Sequence, residues 1–307
     1  MSSLERNTED RLFTGVLPAI TTPFNEDGSV DFPFVERHCA WLVDHGARGI
    51  VALGSLGEGA TLTSEEKAEI LRACVRAVGN RAPVISAVSA LSTNEAVALA
   101  QTAEAAGCQG LMVLPPYVHK GPWEEMRGHF EAILEATSLP AMLYNNPIAY
   151  GTDLLPEQIA ELAASHATVQ AVKESSGDAR RVSAVRALLG DRLDVLVGLD
   201  DMVVEGVAAG ATGWVAGLVN ALPEESVKLF DLARQGRLDE AFELYRWFLP
   251  LLRLDTVPEF VQWIKLVQQE VGMGSEQVRA PRRPIAGETR NQVLEMIRER
   301  LGQRLAA

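Results

Sequence analysis

The chain has 307 residues, 47% hydrophobic, 22% charged and 6% aromatic, enough for one large core or two ordinary ones. With 28 basic and 41 acidic residues its formal charge is −13, which argues against binding a nucleic-acid backbone or an anionic membrane surface. Apolar content this high and evenly spread excludes disorder, so the expected partners are small molecules and further copies of the chain.

The opening stretch from Met1 to Arg11, MSSLERNTEDR, alternates in charge and has no apolar segment, which predicts neither a signal nor a transit peptide. Short apolar runs follow at 15–21, 49–54, 83–88, 110–115, 140–144, 169–173, 194–198 and 213–217. They lack the polar alternation of a half-exposed sheet, so they predict strands covered on both faces. Segments of helical period separate them. One opens at Thr63-Ser64-Glu65-Glu66-Lys67 with Ser64 as the expected N-cap, and its face carries Ile70, Leu71, Cys74, Val75 and Val78. Another opens at Ser92-Thr93-Asn94-Glu95, carries Val97, Ala100 and Ala103 to Ala106, and stops at Gly107.

Strand followed by helix eight times over about 210 residues predicts a (β/α)8 TIM barrel, for which about 250 residues is usual. A doubly wound open sheet is the competing architecture, but the first strand is not followed by a glycine-rich phosphate loop. Further helices are expected near 224–235, 238–253, 258–271 and 286–304, punctuated by Pro250, Pro258, Pro281 and Pro284. The expected division is therefore a catalytic barrel over 12–225 and a C-terminal helical extension over 226–307, packed together as one structural unit. The Arg279-Ala280-Pro281-Arg282-Arg283 run reads as a solvated or subunit-facing loop.

Cys39, Cys74 and Cys108 are odd in number and widely spaced, which predicts buried thiols rather than disulfides or a zinc site. The histidines, His38, His45, His119, His129 and His166, form no i,i+4 pair for a metal. Trp41, Trp247 and Trp263 sit among apolar neighbours at helical spacing and read as core or interface. No apolar run reaches the roughly 18 residues of a membrane span, and the expected location is the cytoplasm.

In a barrel the chemistry sits at the carboxyl ends of the strands. The sixth run closes in Val172-Lys173-Glu174-Ser175-Ser176-Gly177, and a partly desolvated lysine there is either a carbonyl nucleophile or the partner of a rim carboxylate. The fifth closes in Tyr144-Asn145-Asn146-Pro147, where Tyr144 either moves protons or packs as an aromatic. The second closes in Gly54-Ser55-Leu56-Gly57-Glu58-Gly59, a tight loop whose N–H groups and Ser55 hydroxyl are suited to a carboxylate. Gly198-Leu199-Asp200-Asp201 either lines the mouth or caps the next helix.

Together these segments resemble the dihydrodipicolinate synthase/N-acetylneuraminate lyase superfamily, as do Gly15-Val16-Leu17-Pro18-Ala19-Ile20-Thr21-Thr22-Pro23-Phe24 and Gly210-Ala211-Thr212-Gly213. The likeness runs from about residue 13 to 300. It implies a class I mechanism without metal or cofactor: Lys173 forms the Schiff base, Tyr144 relays protons, and Ser55 with Leu56 and Gly57 holds the substrate carboxylate. Three positions depart from dihydrodipicolinate synthases. Leu56 stands for a second Thr, Val118 for a second Tyr, and Ala149 for the Arg that binds the aldehyde's carboxylate.

A narrower resemblance, to the 1-pyrroline-4-hydroxy-2-carboxylate deaminases of hydroxyproline catabolism, rests on several further segments. These are Gly198 to Asp201, Gly213-Trp214-Val215-Ala216-Gly217 with Asn220, Arg246 to Pro250, Leu254-Asp255, and Gln262 to Leu266. It implies a substrate site that includes Gly198, Asp200 and Val215, and a hydrolytic deamination giving 2-oxoglutarate semialdehyde and ammonia. The alternatives are 4-hydroxy-tetrahydrodipicolinate synthase, a 2-keto-3-deoxy acid aldolase or dehydratase, and a non-catalytic 2-oxo-acid sensor or assembly barrel. The resemblance also implies a homo-oligomer, tetramer or dimer. The net negative charge is expected on the outside of the molecule, away from the substrate.

Overall fold

A computed structural model describes residues 11–304, and the charged stretch preceding Arg11 lies outside the described residues. Each apolar run becomes a strand and each periodic segment a helix. In chain order they are β1 (Gly15–Pro18), α1 (Phe32–Asp44), β2 (Ile50–Ala52), α2 (Ser64–Val78), β3 (Val84–Val88), α3 (Thr93–Ala105), β4 (Gly110–Val113) and α4 (Trp123–Glu135). The second half continues with β5 (Ala141–Asn145), α5 (Pro147–Tyr150), α6 (Pro156–Ser165), β6 (Val169–Glu174), α7 (Arg180–Leu189), β7 (Asp194–Val197), α8 (Val203–Ala208) and β8 (Gly213–Ala216). The helices α9 (Pro223–Arg234), α10 (Leu238–Leu252), α11 (Phe260–Glu270) and α12 (Gly287–Gly302) complete the chain.

The eight strands form one parallel sheet in the order β1-β8-β7-β6-β5-β4-β3-β2. A bridge between Ala19 and Val51, with the Ile20 N–H donating to the Val51 carbonyl at 2.9 Å, brings the last edge onto the first. This is the expected TIM barrel. Every residue of β2, β3, β4, β5, β7 and β8 is buried, since side chains fill the barrel on one side and helices cover the other.

Local details differ from expectation. The N-cap of α2 is Thr63, not Ser64. The Thr63 hydroxyl accepts from the Glu66 N–H and the Glu66 carboxylate accepts from the Thr63 N–H, so the capping box starts one residue earlier. In α3 the buried stripe is Ala96, Leu99, Ala100 and Ala103, with Val97 at its margin. The boundary at 225/226 falls inside α9, which packs against α8, α10 and β1.

Two of the three arginines in the Arg279 to Arg283 run are turned inward. Arg279 donates to both Glu66 carboxylate oxygens, at 2.7 and 2.8 Å, and to the carbonyls of Thr61 and Gly28. Arg282 lies 3.8 Å from Glu58, and of the three arginines only Arg283 is exposed. Glu58, buried in the loop after β2, and half-buried Glu66 in the first turn of α2 draw these cations inward. Cys39, Cys74 and Cys108 are buried free thiols. Among the described residues no cluster of ligating side chains could hold a metal, and no helix is long and apolar enough to cross a membrane.

Candidate active site

Tyr144 and Lys173 are paired in the β5–β6 register, so the ladder itself sets the two side chains abreast. The Lys173 Nζ lies 4.3 Å from the centroid of the Tyr144 ring. Lys173 is buried, and among the described residues no hydrogen-bond or ion-pair partner closes on its amine. Its neighbour Glu174 is engaged elsewhere, accepting from Asn145 Nδ2 and from the Ser176 N–H. Room for the lysine comes from Gly198, where a Cβ would sit 2.6 Å from Lys173 Cε and 1.9 Å from Ser175 Oγ.

The Tyr144 hydroxyl accepts from Asn146 Nδ2 at 3.0 Å, and Asn146 also caps α5 by accepting from the Ala149 N–H. That one-turn helix returns Tyr150 to the site. The Tyr150 hydroxyl is hydrogen-bonded to Ser55 Oγ, and its ring stands edge-on to Tyr144 with centroids 5.7 Å apart. The Tyr117 ring also packs on Tyr150, with centroids 5.5 Å apart. Burial pushes the Tyr150 hydroxyl well above the ordinary phenol range, and the neighbouring tyrosines add to the shift.

The loop after β2 is strained. Leu53 and Glu58 both adopt left-handed backbone, with φ of 67° and 53°. Among the described residues no acceptor takes the N–H of Ser55 or Leu56. Glu58 anchors the loop from behind. Its carboxylate accepts from Lys265 Nζ at 2.7 Å and from the Arg279 N–H at 3.1 Å, and both partners belong to the C-terminal extension.

These groups surround a cavity of about 760 Å³ at the carboxyl end of the barrel. Of the residues expected there, Lys173, Tyr144, Ser55, Leu56, Gly198 and Val215 line it. Gly57 and Asp200 do not. Gly57 turns its carbonyl to the Thr22 hydroxyl at 2.6 Å. Asp200 neither faces the mouth nor caps a helix. It is fully buried behind β8 and accepts from Trp214 Nε1 at 3.0 Å, the Gly217 N–H at 3.1 Å and the Leu218 N–H at 2.7 Å. Burial pushes it up to about 6, and these hydrogen bonds and the Lys173 charge oppose the rise. Asp201 lines the cavity instead, and Val118 is exposed in the segment after β4.

Sequence reasoning did not assign a role to Tyr150, Asn146 or Asp255, all of which line the cavity. Asp255, Thr256, Val257, Pro258 and Phe260 reach it from the C-terminal extension. The expectation that acidic groups stay outside fails here, because Asp200 and Asp255 both lie within electrostatic reach of Lys173.

A model of the dihydrodipicolinate synthetase family matches residues 12–300. The chain belongs to the dihydrodipicolinate synthetase family. Among its relatives in that family, the 4-hydroxy-tetrahydrodipicolinate synthase of Geotalea daltonii is 34% identical over 292 residues, covering 94% of this chain and 99% of the relative. The enzyme of the same name from Persephonella marina is 36% identical over 242 residues, covering 79% and 82%. Among solved structures of the family, a dihydrodipicolinate synthase superposes with a TM-score of 0.90 at 30% identity, covering 95% of this chain and 100% of the other. A prophage protein of E. coli K12 from the dihydrodipicolinic acid synthase family, in complex with pyruvate, gives 0.89 at 28%, covering 95% and 99%.

Proposed function

We propose that this family member is a Schiff-base lyase acting on a pyruvate-like 2-oxo or 2-imino acid, with Lys173 as the covalent residue. The observation that carries the reading is the unpartnered Lys173 amine, buried in the cavity over the Tyr144 ring. An amine held there without a counter-charge in contact is free to attack C2. The resulting iminium is an electron sink, so the C3 proton can leave through a relay, the Tyr144 hydroxyl and the Ser55–Tyr150 pair beside it passing a proton on to solvent at the cavity mouth. The free N–H groups of Ser55 and Leu56 receive the substrate carboxylate. The pyruvate complex of the E. coli relative supports a 2-oxo acid as ligand.

The finer reading is 1-pyrroline-4-hydroxy-2-carboxylate deaminase. Lys173 displaces the ring nitrogen at C2, leaving an amine on C5. Loss of the C3 proton and the C4 hydroxyl then gives a conjugated iminium. Isomerisation moves the unsaturation to C5, and hydrolysis releases ammonia and 2-oxoglutarate semialdehyde. The lining supports it: Lys173 is the one basic side chain among the described lining residues, and Ala149, Leu56 and Ile148 offer nothing to a second carboxylate. The names of the relatives favour a second reading, 4-hydroxy-tetrahydrodipicolinate synthase, whose aldehyde substrate carries such a carboxylate.

The deciding experiment is a substrate panel read for both ammonia and pyruvate on wild type and Lys173→Ala. Ammonia from the hydroxypyrroline carboxylate supports the deaminase, and condensation of pyruvate with aspartate semialdehyde supports the synthase. Borohydride reduction with pyruvate should add mass to the peptide holding Lys173 and add none in the variant. An unmodified wild-type lysine overturns the Schiff-base reading in favour of a sensor. A homo-oligomer, dimer or tetramer, belongs to this reading and is supported by Leu91, Val118 and Ile148, which are exposed after β3, β4 and β5. Light scattering that returns a monomer mass overturns it.

A further inference from the structure

Between α10 and α11 the chain makes a single 3-10 turn, Arg253–Asp255, whose last residue faces the cavity. The Asp255 carboxyl packs flat against the first residue after β8. A Cβ on Gly217 would lie 2.1 Å from Asp255 Oδ1 and 2.5 Å from its Cγ, so only glycine leaves the carboxyl its place. No donor among the described residues hydrogen-bonds that carboxyl, whereas Asp200, on the other side of the Gly217 backbone, is fully satisfied. An acid with no protein partner in the wall of a catalytic cavity is available to substrate.

We propose that Asp255 is a catalytic acid of this site, delivering a proton to the hydroxyl that leaves C4 of the substrate. The inference rests on the functional reading above, in which a C4–O bond breaks. Once the C3 proton has gone, the enamine electron pair re-forms C2=N and makes C3=C4 as the C4–O bond breaks. The departing oxygen takes the Asp255 proton and leaves as water, and the carboxylate regains a proton from solvent. Burial holds the Asp255 carboxyl well above the usual carboxylate range. Asp200 and, more weakly, Asp201 raise it further, and Lys173 opposes them. Arg253 faces Asp201 at 3.7 Å, on the outer side of that group. These surroundings favour its acid form.

The test compares two reactions on wild type and Asp255→Asn. The first is deuterium exchange at C3 of 1-pyrroline-2-carboxylate, which needs Lys173 and Tyr144 but has no C4 hydroxyl to lose. The second is ammonia release from 1-pyrroline-4-hydroxy-2-carboxylate. In the variant the ratio of ammonia release to exchange should fall about 100-fold or more, the usual scale for a lost general acid. In wild type alone, kcat for ammonia release should decline on the alkaline side while exchange does not, a readout that needs no variant. A variant whose ratio stays within about threefold of wild type, or a wild type whose two profiles coincide, overturns the acid role. Wild type that exchanges C3 hydrogens yet never loses the hydroxyl overturns the functional reading, and the acid role with it.

Discussion

Tyr150 shows how a single residue changes what the site can do. Its hydroxyl is bonded to Ser55, and its ring packs on both Tyr117 and Tyr144. Substitution Tyr150→Phe keeps the ring contacts and removes the hydroxyl. It should slow C3 deuterium exchange of pyruvate by about 10- to 100-fold, because a Ser55 hydroxyl without its partner is a poor proton relay. Borohydride trapping on Lys173 should persist, and a variant exchanging at the wild-type rate would show that the pair only packs. That Lys173, Tyr144 and Ser55 line one cavity was legible in the sequence because each sits in a contiguous segment closing an apolar strand. Tyr150 was not, since it lies beyond Pro147 and re-enters the site only through the one-turn helix that Asn146 caps. Gly57 and Asp200 belong to the right segments but not to the cavity lining: both lie past their strands, Gly57 in the tight loop after β2 and Asp200 in the 3-10 turn after β7, where the strand pattern no longer says which way a group points.

At the scale of elements, the C-terminal extension clamps the loop after β2 as well as covering the barrel. Lys265 on α11 is buried against Glu58 with its Nζ 4.5 Å from the Phe24 ring, and it also donates to the Gln277 carbonyl at 2.6 Å. Burial lowers it to about 8 even with Glu58 beside it. Substituting Glu58→Gln strands a buried ammonium, which typically costs about 3–5 kcal/mol. The urea midpoint should fall accordingly, and KM should rise more than kcat drops, since the loop proposed to receive the substrate carboxylate loosens. An unchanged midpoint would mean that Lys265 finds another partner. Strand and helix positions were readable from apolar runs and periodicity, down to the helices of the extension. The clamp was not, because Glu58 and Lys265 are far apart in sequence and each looks like an ordinary surface charge in its own segment. The same separation hid Asp255 as a cavity residue.

Across the whole molecule, barrel and extension share one polar seam. His38 on α1 donates from Nε2 to the Asn220 carbonyl at 2.9 Å. Asn220 Nδ2 donates to the carbonyls of Ala19 and Gly217, and the Thr21 hydroxyl reaches Gln268 on α11 at 2.8 Å. We propose that residues 12–225 and 226–307 therefore unfold together, with tryptophan fluorescence and far-UV circular dichroism giving coincident urea transitions; separate midpoints would overturn this. The seam also sets the acid response. Burial lowers His38 from 6.5 to about 4, so between these values the unfolded chain binds more protons than the folded one. Its contribution is complete above about pH 6.5 and is lost as pH falls toward 4, amounting to about 3 kcal/mol. Asp200 works in the other direction, because it is raised from 3.8 to about 6 and the folded chain takes up its proton first as pH falls. That gain is also about 3 kcal/mol over nearly the same window. These two nearly offset each other, while Asp255, also raised, adds a gain of the same sign as that of Asp200. His38→Gln, which retains a donor for the Asn220 carbonyl, should expose the Asp200 effect: relative to wild type, the variant gains about 3 kcal/mol between pH 7 and pH 4 in urea unfolding. A difference that stays constant with pH would mean that His38 is protonated in the folded protein as readily as in the unfolded chain.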